Sequence, residues 1–83
     1  MKDNIKETQE DILKYLYENK SASPQSQTKI RLAANLEDNK EGLRVLKASL
    51  EALLKKEFIK KQADRGNYKI DLKGIEHIEK EKN

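Results

Sequence analysis

The chain has 83 residues, of which 40% are charged and 35% are hydrophobic, with a formal net charge of +3 and no cysteine. This length allows one small core in a single domain, and the lack of cysteine excludes a disulfide framework and a thiolate metal site. The longest apolar run has three residues, far fewer than the roughly 20 that cross a bilayer, and the first ten residues are unlike a secretory signal. We therefore expect a cytoplasmic protein with no membrane contact.

The first helix is predicted over residues 3–19. Ile5, Ile12 and Leu16 recur at helical spacing and form one apolar stripe. Asp3 stands just before this stripe, where a short acidic side chain can cap the first turn.

Two further helices are predicted by their start signals. Ser23 and Pro24 fit the N-cap and the first helical position, where the missing N–H of proline costs nothing. The second helix should run from there to about Asn35. After a turn, Asp38 is the next N-cap, and Glu41 three residues later completes a pattern that resembles a capping box.

The third helix, predicted to end near residue 56, has two contrasting faces. Five leucines lie within an arc of about 100°, the width of a core-facing stripe. They are Leu43, Leu46, Leu50, Leu53 and Leu54. The opposite arc combines small residues with bases and holds Arg44, Val45, Ala48, Ser49, Ala52 and Lys55. This arc suits a helix that enters a DNA groove, but an ordinary solvated surface and a docking seam are alternative interpretations.

A two-stranded hairpin is predicted over residues 58–72, because an apolar pair starts one strand and alternating apolar residues form the other. Polar residues with turn chemistry separate the two strands. The basic residues of the hairpin are Lys60, Lys61, Arg65 and Lys69. They would follow a phosphate backbone, although exposed edge strands also carry lysine to block aggregation.

A short last helix follows the hairpin. Asp71 can cap this helix, which carries Ile75 and Ile78, and the tail should fray from Glu79 onward. His77 is the single histidine and is interpreted as a surface residue, so no zinc site is predicted. Neither a P-loop nor a dinucleotide fingerprint is present, and no nucleophile has a recognisable context. We expect no catalytic residues, no metal and no cofactor.

Three stretches carry a resemblance to a known family: residues 28–36, residues 50–59, and residues 68–78 with the pattern Y-x-I-x-x-x-G-x-x-x-I. Together they resemble the winged helix-turn-helix DNA-binding proteins of archaea. The resemblance covers about residues 5–80. It implies a mainly α fold of the α+β class, with a three-helix core, a two-stranded wing and a short C-terminal helix. The glycine that usually precedes the wing is replaced here by Glu57.

The resemblance implies a small transcription regulator that binds double-stranded DNA, with the third helix in the major groove and the wing on the backbone. The expected DNA contacts are Lys40, Arg44, Ala48, Lys55, Lys60, Lys61, Arg65 and Lys69. The expected supporting core is Leu43, Leu46, Leu50, Leu53, Ile59, Tyr68 and Ile70. Residues 21–61 carry nine bases and five acids, which suits phosphate attraction.

The alternative is a winged-helix module that binds protein rather than DNA. Its docking surface, for a homodimer or another partner, would be Val45, Ala48 and Ala52. The modest net charge of the whole chain favours this alternative.

Overall fold

The computed structural model describes residues 5–63 and 66–82. The elements are α1 (Ile5–Glu18), α2 (Gln27–Ala33), α3 (Lys40–Lys55), β1 (Ile59–Lys61), β2 (Tyr68–Ile70) and α4 (Leu72–Lys82). β1 and β2 form an antiparallel hairpin. The predicted class, mainly α with a small β-hairpin in a winged-helix-like layout, is confirmed. Asp3, the predicted first cap, lies outside the described residues.

α4 begins directly after its predicted cap but ends later than predicted. Asp71 precedes it, and the Asp71 carboxylate accepts a hydrogen bond from the Leu72 N–H at 2.8 Å, as expected of a cap. Leu72, predicted to continue the alternation of the strand, is instead the exposed first residue of α4. The helix continues to Lys82, beyond the residue at which fraying is predicted. None of the described helices is long and apolar enough to cross a membrane.

The buried side chains form one cluster to which every helix and both strands contribute. α1 lies centrally and packs against α2, α3, α4 and β2. The predicted core is confirmed at Leu46, Leu50, Leu53, Ile59, Tyr68 and Ile70. Each large apolar side chain removed from water contributes about 1.5–3 kcal/mol, so this cluster supplies most of the favourable free energy of folding.

α3 is rotated about its axis relative to the prediction. Leu43 is 39% exposed, whereas Val45 and Ser49 are fully buried. The cause is a close approach at the start of the helix, because a Cβ on Gly42 would lie 1.9 Å from the Glu37 carbonyl oxygen. Gly42 and Ser49 therefore face the neighbouring segments and Leu43 turns outward. Among the described residues the Ser49 hydroxyl has no hydrogen-bond partner, which costs about 1–3 kcal/mol.

The start of α2 also differs from the prediction. The N-cap is Ser26, whose hydroxyl accepts a hydrogen bond from the Lys29 N–H. The predicted caps, Ser23 and Pro24, are wrong because the chain after them stays extended to reach the hairpin. A helix that started at Pro24 would include the residue that makes this connection, and that residue could then not pair with the hairpin.

Gln25 is the residue that makes the connection, and it adds a third strand position beside β2. Its N–H donates to the Tyr68 carbonyl at 2.7 Å, and the Tyr68 N–H donates back at 2.8 Å. The Gln25 side chain accepts from the Tyr15 hydroxyl at 2.7 Å and donates to the Ser23 carbonyl at 2.6 Å. Main chain and side chain together thus tie α1, the loop before α2 and β2 to one another.

The cap of α3 is Asn39 rather than the predicted Asp38. The Asn39 side-chain oxygen accepts from the Gly42 N–H at 2.8 Å. Glu41 takes no part in a capping box and instead pairs with Arg44. The asparagine is the better placed side chain because Gly42 is held against the preceding turn.

α3 ends in a Schellman motif whose left-handed residue is Glu57, with a φ of 64°. The Phe58 N–H bonds to the Leu53 carbonyl and the Glu57 N–H to the Leu54 carbonyl, each at 3.0 Å. These are the two hydrogen bonds that define the motif. The chain therefore makes the turn without the usual glycine, and Glu57 carries the backbone strain.

Replacing Glu57 with glycine should stabilise the protein. Relief of the left-handed strain is worth about 1 kcal/mol, and the ion pair lost with Lys73 at 2.8 Å is exposed and contributes little. Urea unfolding followed by circular dichroism measures the difference. Glu57→Ala is the matched control, since it removes the same ion pair but keeps the strain and should not stabilise. Equal effects of the two substitutions would contradict the strain at this residue.

Replacing Gly74 with alanine should destabilise the protein, although alanine favours helices. A Cβ at this position would lie 2.2 Å from the Phe58 carbonyl oxygen and 2.8 Å from Ile70 Cγ1. α4 would have to move off the hairpin, at a cost of about 1–3 kcal/mol that outweighs the gain in helix propensity of about 1 kcal/mol. Thermal unfolding tests this, with the exposed Glu76→Ala of the same helix as control. A melting temperature at or above that of the wild type would rule out the close approach.

Candidate nucleic-acid interface

A row of exposed side chains runs along α3 on the side away from the core. Its members, called the α3 stripe below, are Lys40, Arg44, Lys47, Glu51 and Lys55. At 3.6 residues per turn they fall within an arc of about 80°. Four of the five are bases, and with the exposed Glu41 beside the stripe the solvent face of α3 carries four bases and two acids, an excess of two positive charges.

Lys47 belongs to this stripe but is absent from the predicted contacts. The rotation of α3 brings it onto the exposed face, at one edge of the stripe. A signal was present in the sequence, because Lys47 follows Arg44 by three residues and precedes Glu51 by four, which is the spacing of neighbours on one helix face. A helical wheel centred on the five leucines does not show that Lys47 shares a face with these two residues.

The small residues predicted on the outer arc lie elsewhere. Val45 is fully buried, so a docking seam that includes its side chain is wrong. Ser49 is buried as well, and Ala48 and Ala52 are only half-exposed at the edge of the stripe. Ala48 can therefore limit how closely α3 approaches a partner, but it does not stand at the centre of the exposed face.

Arg44 is held by a neighbouring acid. Both its Nε and its Nη2 donate to the Glu41 carboxylate, in an ion pair three residues apart whose side chains are 56% and 62% exposed. The hydrogen bonds from Arg44 lower the pKa of Glu41, with a smaller opposing effect of burial. An exposed pair of this kind is weak, so Arg44 can exchange Glu41 for a better acceptor.

The lysines of the hairpin differ in their contacts. Lys60 and Lys69 stand opposite each other across the two strands, where like charges repel. Lys69 donates to the Ala22 carbonyl at 2.9 Å, and the Lys60 ammonium lies 3.9 Å from the Asp71 carboxylate. Lys69 therefore holds the loop before α2, whereas Lys60 stays largely exposed. Lys61 is exposed at the end of β1 and has no ion pair within the described part of the chain.

The predicted contact residues thus divide into three groups. Lys40, Arg44, Lys55, Lys60 and Lys61 are exposed, and Ala48 and Lys69 are half-exposed. Arg65, at the tip of the predicted turn, lies outside the described residues. α3 packs against β1, so adjacent elements carry the α3 stripe and the exposed hairpin lysines.

A scan against protein-family models, a search of curated proteins and a search of solved structures each gave no match to this chain. The resemblance to archaeal winged-helix regulators therefore stays a prediction.

Proposed function

We propose that the protein binds double-stranded DNA as a small transcription regulator, with α3 in the major groove and the β1–β2 hairpin along the phosphate backbone. The observation that supports this best is the α3 stripe, which presents four bases and one acid on the exposed face of a helix. The major groove of B-DNA is about 12 Å wide and admits a helix. The winged-helix-like layout leaves this face of α3 open.

The spacing of charges along the stripe suits a helix that lies across a groove. Lys40 and Lys55 are 15 residues apart, or about 22 Å along the helix axis, so each can reach phosphates at one edge. Arg44 and Lys47 lie between them, where side chains meet the O6 and N7 acceptors of guanine. Glu51 is repelled by phosphate but can accept a hydrogen bond from the amino group of cytosine. The proposal therefore includes a preference for G·C pairs beneath the middle of α3.

The hairpin adds non-specific attraction. Lys60 and Lys61 are exposed and would neutralise backbone phosphates, which releases counterions and makes binding dependent on salt. One helix and one short wing offer few such contacts, so a single copy should bind weakly at physiological salt. Regulation would then require a pair or an array of copies on DNA. This proposal places the protein in the cytoplasm with the genome, and an archaeal origin is the one that the resemblance suggests.

A second candidate function is docking of a protein partner. Leu32 on α2 is 60% exposed and Leu43 on α3 is 39% exposed. Large apolar side chains on the surface are common when they stand alone, so this observation weighs less than the charge of the α3 stripe. Retention of another protein by wild type, but not by Leu32→Ser, together with a lack of DNA binding, would favour this function.

The first test of DNA binding is fluorescence anisotropy of a labelled mixed-sequence duplex of about two helical turns, titrated at several salt concentrations. The logarithm of affinity should fall linearly with the logarithm of salt concentration. Lys47→Ala should weaken binding and reduce the slope by up to about one, because one cationic contact in the groove is lost. Lys14→Ala is the charge-matched control, since Lys14 is an exposed residue of α1, and it should change neither quantity appreciably.

Two outcomes would contradict the proposal. Failure of the wild type to bind even at low salt would exclude DNA as the partner. Equal losses for Lys47→Ala and Lys14→Ala would show that net charge attracts the DNA and that the α3 stripe is not the contact surface.

The pairing of Arg44 with Glu41 predicts that Glu41→Gln strengthens DNA binding. The substitution removes a negative charge beside the stripe and weakens the ion pair that competes with phosphate or guanine for Arg44. Affinity for the same duplex should rise severalfold at low salt, and this gain should disappear in the double substitution with Arg44→Ala. Glu18→Gln, an equal change of charge on α1, should have a smaller effect. A gain that survives the loss of Arg44 would mean that net charge alone is responsible.

A further inference from the structure

Three side chains that can bind a metal ion converge where α1 meets α4. His77 Nε2 lies 3.2 Å from Glu10 Oε2 and 3.4 Å from Glu81 Oε2. One ligand atom from each of the three residues lies within 4.8 Å of the others. Glu10 belongs to α1, whereas His77 and Glu81 stand four residues apart on α4, so the cluster joins two helices that are distant in sequence.

The distances match the coordination sphere of a small divalent ion. Zinc binds histidine nitrogen and carboxylate oxygen at about 2.0–2.2 Å. In a tetrahedron with bonds of that length, neighbouring ligand atoms are about 3.3–3.6 Å apart. The separations of Glu10 and Glu81 from His77 are close to these values, and the two carboxylate oxygens lie within 4.8 Å of each other.

The histidine is also held in place from one side. The Phe58 ring lies against the His77 ring, with centroids 4.9 Å apart and an angle of 30° between the planes. This contact restricts the rotation of the imidazole, and an oriented ligand loses less conformational entropy when it binds. The three side chains are between 33% and 49% exposed, so an ion can enter from solution and water can complete its coordination.

Charge gives a second reason for a cation. The cluster brings two carboxylates close to one ring nitrogen, and like charges at short range repel. A divalent ion neutralises both carboxylates. It also accepts the imidazole nitrogen as a ligand, and a hard ion such as Mg²⁺ does not prefer that kind of ligand.

We propose that Glu10, His77 and Glu81 form a binding site for a divalent transition-metal ion, Zn²⁺ above all, that fastens α1 to α4. The ion has three protein ligands and at least one water molecule, and binding it stabilises the folded state by mass action. The site is separate from the α3 stripe and does not depend on DNA binding.

Titration of untagged, chelator-treated protein with Co²⁺ at about pH 7, where structural zinc sites bind their ion tightly, tests this proposal and is followed by visible absorption. The wild type should bind one Co²⁺ per chain, and one equivalent of Zn²⁺ should displace it. His77→Gln, Glu10→Gln and Glu81→Gln should each weaken binding by about tenfold or more. Glu76→Gln, the same change at an exposed residue of α4 outside the cluster, should bind as the wild type does.

Thermal unfolding with and without Zn²⁺ provides a second readout. Zn²⁺ should raise the melting temperature of the wild type and of Glu76→Gln but not that of His77→Gln. Saturation by more than one ion, undiminished binding by His77→Gln, or equal displacement of Co²⁺ by Mg²⁺ would each overturn the proposal. Those results would leave the three residues as hydrogen-bonded surface side chains without a metal ion.

Discussion

The backbone pairing between Gln25 and Tyr68 holds the hairpin against the helices, and much of the structure depends on it. Two strands of three residues are too short to be stable alone in water. Gln25 extends them by a third strand position, and its side chain accepts from the Tyr15 hydroxyl of α1. Because residues up to Gln25 must stay extended, α2 can begin only after Ser26. The same connection gives the basic hairpin a defined position relative to the helical core.

The rotation of α3 determines which surface the protein offers. The buried arc contains Gly42 and Ser49 together with leucines, since a neighbouring backbone approaches most closely where side chains are small. The outward arc consequently includes Lys47 and excludes Val45. A rotation of α3 by a few tens of degrees thus places basic side chains on the surface where an apolar docking seam was predicted. This difference supports the proposal of DNA binding over that of a docking module.

The chain has a net charge of +3 but contains two regions of opposite local charge. The α3 stripe presents four bases and one acid, whereas two carboxylates converge on His77 where α1 meets α4. Phosphate attraction and cation binding call for opposite local charge, so one small domain can offer both only by keeping them on different elements. Ion pairs such as that between Glu41 and Arg44 moderate the basic region, and their exposure leaves them free to exchange partners.

The order of helices and strands was determined by the sequence itself, because helical and strand periodicity are local properties of the chain. Leu46, Leu50 and Leu53 were identified as core residues for that reason, as were the alternating residues of the hairpin. The exposed bases of α3 were largely predictable too, with the exception of Lys47. Only the tertiary structure decided the rotation of α3, the cap at Ser26 and the meeting of Glu10 with His77. Each of these depends on contacts between segments, which the periodicity of one segment does not describe. A helix turns towards its neighbours the side that they can approach most closely.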